Sequence, residues 1–151
     1  MTKTYYLFLT ALLCSSCSLL FPEEEEEQIE VDFVLSSQTA IDNFFSRFIS
    51  DIEGNVLIST DVNTSDPITN LDGLLRIQSI GGDLRISGNR SLTSLNGLST
   101  LRTVGGTLIL SANYELVNLQ GLDNLEAING SFLLSSNISL ETLRGLENLA
   151  T

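Results

Sequence analysis

An eight-residue phrase that returns every 24 positions restricts this chain more than any other feature. Gly82-Asp-Leu-Arg-Ile-Ser-Gly-Asn89 returns as Gly106-Thr-Leu-Ile-Leu-Ser-Ala-Asn113, and again as Gly130-Ser-Phe-Leu-Leu-Ser-Ser-Asn137. The residues that follow keep the same period. Leu92, Leu95, Gly97 and Leu98 recur as Leu116, Leu119, Gly121 and Leu122, then as Leu140, Leu143, Gly145 and Leu146. Leu101 and Val104 match Leu125 and Ile128. An earlier copy starts at Gly54, takes four extra residues near Asp61–Pro67, and rejoins at Ile68, Leu71, Gly73 and Leu74. Self-similarity at one fixed spacing is the signature of stacked coils. A single repeat cannot bury its own apolar face, so each coil needs its neighbours.

Short apolar alternations with frequent Gly and Ser favour strands, and no repeat holds a segment long enough for an ordinary helix. Parallel strands are therefore expected near Val56, Leu84, Leu108 and Phe132. The equivalent Asn89, Asn113 and Asn137 are expected to form a ladder inside a turn, their amides meeting backbone groups of adjacent coils. Gly97, Gly121 and Gly145 are read as tight corners. Six of the seven Phe lie at or before residue 48, so the later core must be built from Leu and Ile. Ahead of the repeats, Ile41, Phe44, Phe45, Phe48, Ile49 and Ile52 have helical spacing. They predict a helix over 37–53 that covers the open apolar end of the stack.

Charge is unevenly spread. Residues 23–53 carry ten acidic residues and one Arg, a balance of -9; residues 54–151 carry nine acidic residues and five Arg, a balance of -4. The acidity belongs to a leader. Five consecutive Glu, 23–27, are expected to stay extended and solvated, making 18–36 an acidic disordered linker. Nucleic-acid binding needs a basic footprint, which this chain lacks.

The first residues, MTKTYYLFLTALLCSSCSLLF, combine Lys3, a short apolar stretch and Ser15-Ser16-Cys17. This resembles a bacterial lipoprotein signal peptide over 1–17, which implies lipidation of Cys17 and a membrane partner through that lipid. Cys14 stands where such signals usually carry Leu. The alternatives are ordinary secretory cleavage and an uncleaved anchor over 5–21. The acidic run after Cys17 resembles the surface-export signal of lipoproteins in Bacteroidetes-type bacteria, which implies an outer-membrane, surface-exposed location.

The body, residues 38–151, resembles the receptor L-domain type of leucine-rich repeat found on bacterial surface lipoproteins. The carrying residues are Ile41-Asp-Asn-Phe44, Ile52-x-Gly-Asn-Val56-x-Ile58, and the repeated Gly-x-Leu-x-Ile-x-x-Asn-x-x-Leu-x-x-Leu-x-Gly-Leu. The resemblance implies a mostly β protein: a right-handed parallel β-solenoid of 24-residue repeats over 54–151, with the helix over 37–53 as its N-terminal cap. Thr151 falls inside a repeat and no C-terminal cap follows, which predicts a fragment of a longer protein.

Chemistry finds little footing. There is no His, both Cys lie in the leader, and no Ser sits in a nucleophile elbow. No enzyme activity and no cofactor are expected. Asp61-x-Asn63-x-Ser65 with Asp72 partly mimics a calcium loop, but Asp66 stands where that loop needs Gly, so no metal site is assigned. A binding face is more concrete. With the first and third residues of each strand inward, Leu57, Arg85, Ile109 and Leu133 point out, beside Ser59, Ser87, Ser111 and Ser135. Three apolar residues among four outward positions point to a protein, peptide or glycan ligand on a surface-anchored adhesion module; the alternative is that strands simply favour branched residues there, with the leader segment as cover. The competing reading is a structural spacer that holds a C-terminal domain away from the membrane.

Overall fold

Each coil lays down two short strands, one on either side of a strip of Leu and Ile. The structure is a computed structural model that describes residues 33–44 and 49–150. The lipoprotein-like leader, Cys17, the acidic run at 23–27, Phe45 and Phe48 lie outside the described residues. In chain order the elements are β1 (Phe33–Leu35), α1 (Gln38–Asp42), β2 (Asp51–Ile52), β3 (Val56–Ile58), β4 (Ser79–Ile80), β5 (Leu84–Ser87), β6 (Thr103–Val104), β7 (Leu108–Ser111), β8 (Ala127–Ile128) and β9 (Phe132–Ser135). Short 3-10 helices at Asp72–Leu74 and Asn96–Leu98 turn two of the corners.

All strand pairs are parallel. The larger sheet runs β1-β3-β5-β7-β9 and the smaller β2-β4-β6-β8. Their register follows the sequence period: Leu84 pairs with Leu108 and Leu108 with Phe132. Val56 pairs with Leu84, 28 positions on, because the insertion in the first coil loops out without disturbing the strands. Leu, Ile and Val at alternate positions then face inward together. Val56, Ile58, Leu84, Ile86, Leu108 and Leu110 from the larger sheet meet Ile52, Ile80 and Val104 from the smaller, all buried. Burying apolar surface between the two sheets is the main stabilising term, at roughly 25 cal/mol per Å².

The corners are tight enough to dictate glycine. A Cβ at Gly97 would collide with the carbonyl of Leu71, one coil earlier. Gly121 meets the Leu95 carbonyl in the same way and Gly145 that of Leu119. The corner glycines are therefore required by the approach of the previous coil, and at Gly121 and Gly145 by a positive φ as well. A second recurring turn follows each strand of the larger sheet. Gly88, Ala112 and Ser136 take positive φ there. The next residue in each case is an Asn of the ladder. Asn89 Nδ2 donates to the Ile58 carbonyl at 3.0 Å, Asn113 Nδ2 to Ile86 at 3.0 Å, and Asn137 Nδ2 to Leu110 at 3.0 Å. Each Oδ1 accepts from the coil before it, as when the Asn113 amide donates to Asn137 Oδ1 at 2.9 Å. Asn89 and Asn113 are fully buried with all their polar side-chain atoms partnered.

The N-terminal segment differs from expectation. Among the described residues, the helix predicted over 37–53 covers only Gln38–Asp42, and Asp51–Ile52 within that span is a strand. Phe33–Leu35, at the end of the stretch read as linker, is also a strand and pairs with β3. The reason is that this segment follows the path of a coil. β1 extends the larger sheet and β2 the smaller. Between them the Ile41 carbonyl lies over Gly73 as the Leu71 carbonyl lies over Gly97. The spacing Ile41, Phe44, Ile49, Ile52 serves these coil corners, and all four join the core cluster. Phe33 and Phe44 meet edge to face, 5.6 Å between ring centroids, on the outer side of this first layer.

At the other end, Phe132, Leu134, Leu140, Leu143, Leu146 and Leu149 occupy positions whose equivalents one coil earlier are fully buried. They are half-buried or exposed, because among the described residues no coil is stacked on them.

Candidate functional site

The larger sheet turns its other face to solvent, and the strand alternation decides what that face shows. Val56 and Ile58 are buried, so Leu57 between them points out. The same holds for Arg85 on β5 and Ile109 on β7. The register aligns these residues across the sheet: Leu57 pairs with Arg85, Arg85 with Ile109, and Ile109 with Leu133. All four residues expected on the face are thus brought into one row. The row has a fifth member, Val34 of β1, which pairs with Leu57 and is 60% exposed. Reading 18–36 as linker hid it. Its signal was Phe33-Val34-Leu35, an apolar triplet of the same kind as Val56-Leu57-Ile58. Five strands at about 4.8 Å make a row of roughly 19 Å.

Polar rows flank it. Ser87, Ser111 and Ser135 are in register on the strand C-terminal side. On the other side Asn55 Oδ1 accepts from the Asp83 amide at 2.7 Å, and Asp83 Oδ1 from the Thr107 amide at 2.6 Å. Arg85 has no carboxylate partner among the described residues. It makes one long contact, Nε to Ser87 Oγ at 3.4 Å. The one ion pair among the described residues joins Arg102 to Glu126, both exposed, between neighbouring coils. The face is therefore apolar with a single uncommitted cation at its centre, edged by hydroxyls. That composition can bind, but it holds no group poised to transfer a proton or attack a bond.

The two carboxylates held below their ordinary range lie elsewhere. Asp51 is lowered by the hydroxyls of Ser50 and Ser79. Asp66 is lowered first by the backbone N–H of Thr39 at 2.8 Å, and further by the Thr39 and Ser37 side chains. Asp66 belongs to the stretch that partly mimics a calcium loop, and it faces α1 instead. Asp61 Oδ1 in turn accepts from the Asn63 amide at 2.9 Å. Among the described residues no three His, Cys, Asp or Glu side chains converge to hold a metal ion. Among them, too, no helix is long and apolar enough to cross a membrane. Cys17, the expected lipidation site, lies outside the described residues.

Two findings from known proteins bear on this arrangement. A family model described as Receptor L domain matches residues 69–150, from the end of the insertion through the last described coil. No curated protein and no solved structure matches the chain.

Proposed function

The chain belongs to the receptor L-domain family, and we propose that it is a non-catalytic binding module whose ligand lies across the outer face of the larger sheet. One observation carries this reading: Val34, Leu57, Arg85, Ile109 and Leu133 form an unbroken cross-strand row, four of the five apolar. Solvent-facing strand positions rarely collect apolar side chains in one line without a partner to cover them. Rigid, parallel-paired strands hold that row at little entropic cost on binding. An apolar strip with one central Arg suits a protein or peptide surface, where Arg and large apolar groups supply most binding energy.

The finer architecture belongs to the same proposal. The body is a right-handed solenoid of 24-residue repeats, and β1 with α1 closes its first coil as a cap. The leader places it outside the cytoplasm. Cys17 carries a lipid that holds it in the outer membrane, and residues 18–32 act as a tether that lets the face reach its ligand. Support for this part comes from Lys3, the short apolar stretch and Ser15-Ser16-Cys17.

The test is the double substitution Ile109→Asp and Leu133→Asp. Retention of surface proteins and peptides on the immobilised chain is expected to disappear while the melting temperature stays nearly unchanged. A large fall in melting temperature would show the row to be core. Unchanged retention would move the ligand elsewhere, and a wild-type chain that retains nothing would favour the spacer reading. Cys17→Ser is expected to release the protein from the membrane fraction and to abolish an acyl mass increment.

A further inference from the structure

Coils in a stack present equivalent side chains, so a ligand that needs a unique arrangement must find a place where the repeat is broken. Here that place is the first coil. Thr60 and Asp61 follow Ser59 as Gly88 and Asn89 follow Ser87. Asp61 thus stands at a ladder position, yet its side chain is exposed. The residues after it do not continue along the stack. They are drawn toward α1, where Asp66 Oδ2 accepts from the Thr39 amide at 2.8 Å and the Asp66 carbonyl from the Gln38 amide at 3.2 Å. Pulling the loop aside opens a cavity of about 260 Å³ between it and the turn that carries Gly88 and Arg90. Insertions in repeat proteins gather on one side and commonly carry binding.

The walls are chemically mixed. Asp61 supplies a carboxylate, Arg90 a guanidinium, Thr64 and Ser91 hydroxyls, and Val62 and Pro67 small apolar surfaces. Neither charged group has an ion-pair partner among the described residues. Among the described residues the Asp61 carboxylate accepts from the Asn63 amide alone, through Oδ1. Arg90 is held in position by the ring of Tyr114, with 5.6 Å from its guanidinium carbon to the ring centroid. A bound anion would face Asp61, and a bound cation would face Arg90. A purely apolar ligand would strand both charges, at a high desolvation cost. A neutral ligand with adjacent hydroxyls meets neither penalty: one hydroxyl donates to Asp61, the next accepts from Arg90, and its C–H face rests on Val62 and Pro67.

We propose that this groove, beyond the C-terminal ends of β3 and β5 and apart from the outer face of their sheet, binds one ring of a neutral oligosaccharide. Its volume falls just below the roughly 300–1,000 Å³ of pockets for drug-sized ligands, as a single-ring subsite requires. The remaining rings continue along the row that follows the ladder, past Arg90 to Tyr114.

Isothermal titration of the full chain with maltohexaose, cellohexaose, xylohexaose and chitohexaose tests this. At least one is expected to bind. Asp61→Asn and Arg90→Gln are each expected to weaken it at least about tenfold, the loss of one charge-assisted hydrogen bond. Ile109→Asp with Leu133→Asp is expected to leave sugar binding unchanged, which separates this site from the sheet face. If Asp61→Asn loosens the loop through its bond to the Asn63 amide, Arg90→Gln on the opposite wall carries the test alone. No binding of any of the four sugars overturns the proposal. So does binding that survives Arg90→Gln, or binding lost with the sheet-face pair.

Discussion

Asn113 is fully buried and fully occupied. Its Nδ2 donates to the Ile86 carbonyl, and its Oδ1 accepts from the backbone and side-chain amides of Asn89 at 3.3 and 3.2 Å. Removing it leaves a buried carbonyl and a buried amide unmet. Asn113→Ala is expected to cost about 2–4 kcal/mol in denaturant unfolding, since each orphaned group costs about 1–3 kcal/mol. Glycines separate into two kinds by the same reasoning. Gly97→Ala drives a methyl into the Leu71 carbonyl, which only a shift of the whole coil can relieve. Gly88→Ala meets nothing closer than Ser59 Oγ at 3.6 Å, and its positive φ is one that Ala112 and Ser136 already adopt. Its expected cost is about 1–2 kcal/mol. Unfolding curves of the two variants should differ clearly, with Gly97→Ala failing to reach a native baseline or losing several kcal/mol. Equal, small losses would mean that the coils do not approach as closely as described.

At the scale of the element, α1 is too short to stand alone, and every amide of its first turn is satisfied from outside or by its cap. Gln38 donates to the Asp66 carbonyl, Thr39 to the Asp66 carboxylate, and Ala40 to Ser37 Oγ. The Gln38 side chain in return accepts from the Thr69 and Asn70 amides. The insertion in the first coil thus serves as a distant cap for a helix 27 positions earlier. Because this bond holds the Asp66 carboxylate below its unfolded value near 3.8, its contribution is present above that pH and fades as pH falls through the lower, folded value. Exchange protection of the Thr39 amide is expected to drop with acid below about pH 4. Asp66→Asn should flatten that acid dependence.

The sequence misjudged this element for a definite reason. Coil corners place apolar residues three apart, as in Leu71, Leu74 and Ile77. Ile41 and Phe44 share that step, which a helix of 3.6 residues per turn also satisfies. Period alone cannot separate the two. β1 escaped notice because no Gly, Asn or Leu of the repeat accompanies it; what recruits Phe33–Leu35 is the open edge of β3, a tertiary fact. The strands of the smaller sheet are two residues long and too short to alternate visibly.

Over the whole molecule, β3, β5, β7, β9 and the ladder follow from a one-dimensional rule, and the sequence carried that rule. The outward row was legible for the same reason: alternation is local, so Leu57, Arg85, Ile109 and Leu133 could be named before their register was known. The groove was not legible. It depends on where the insertion folds, and that is set by Asp66 meeting α1. The same one-dimensionality has a mechanical consequence. Consecutive coils are neighbours in both sheets, so the described chain enters at one end of the stack and leaves at the other. Tension between those ends loads the interstrand hydrogen bonds one row at a time instead of all together. Each released coil frees about 80 Å of chain for 24 residues, against a stacking distance of about 5 Å. Optical-tweezer traces are therefore expected to show a staircase of low-force extensions of similar size, with a longer step where the 28-residue first coil lets go. A single high-force rip would mean that the coils break as one body. A stack that yields in steps can absorb a sudden pull and re-form when the load falls.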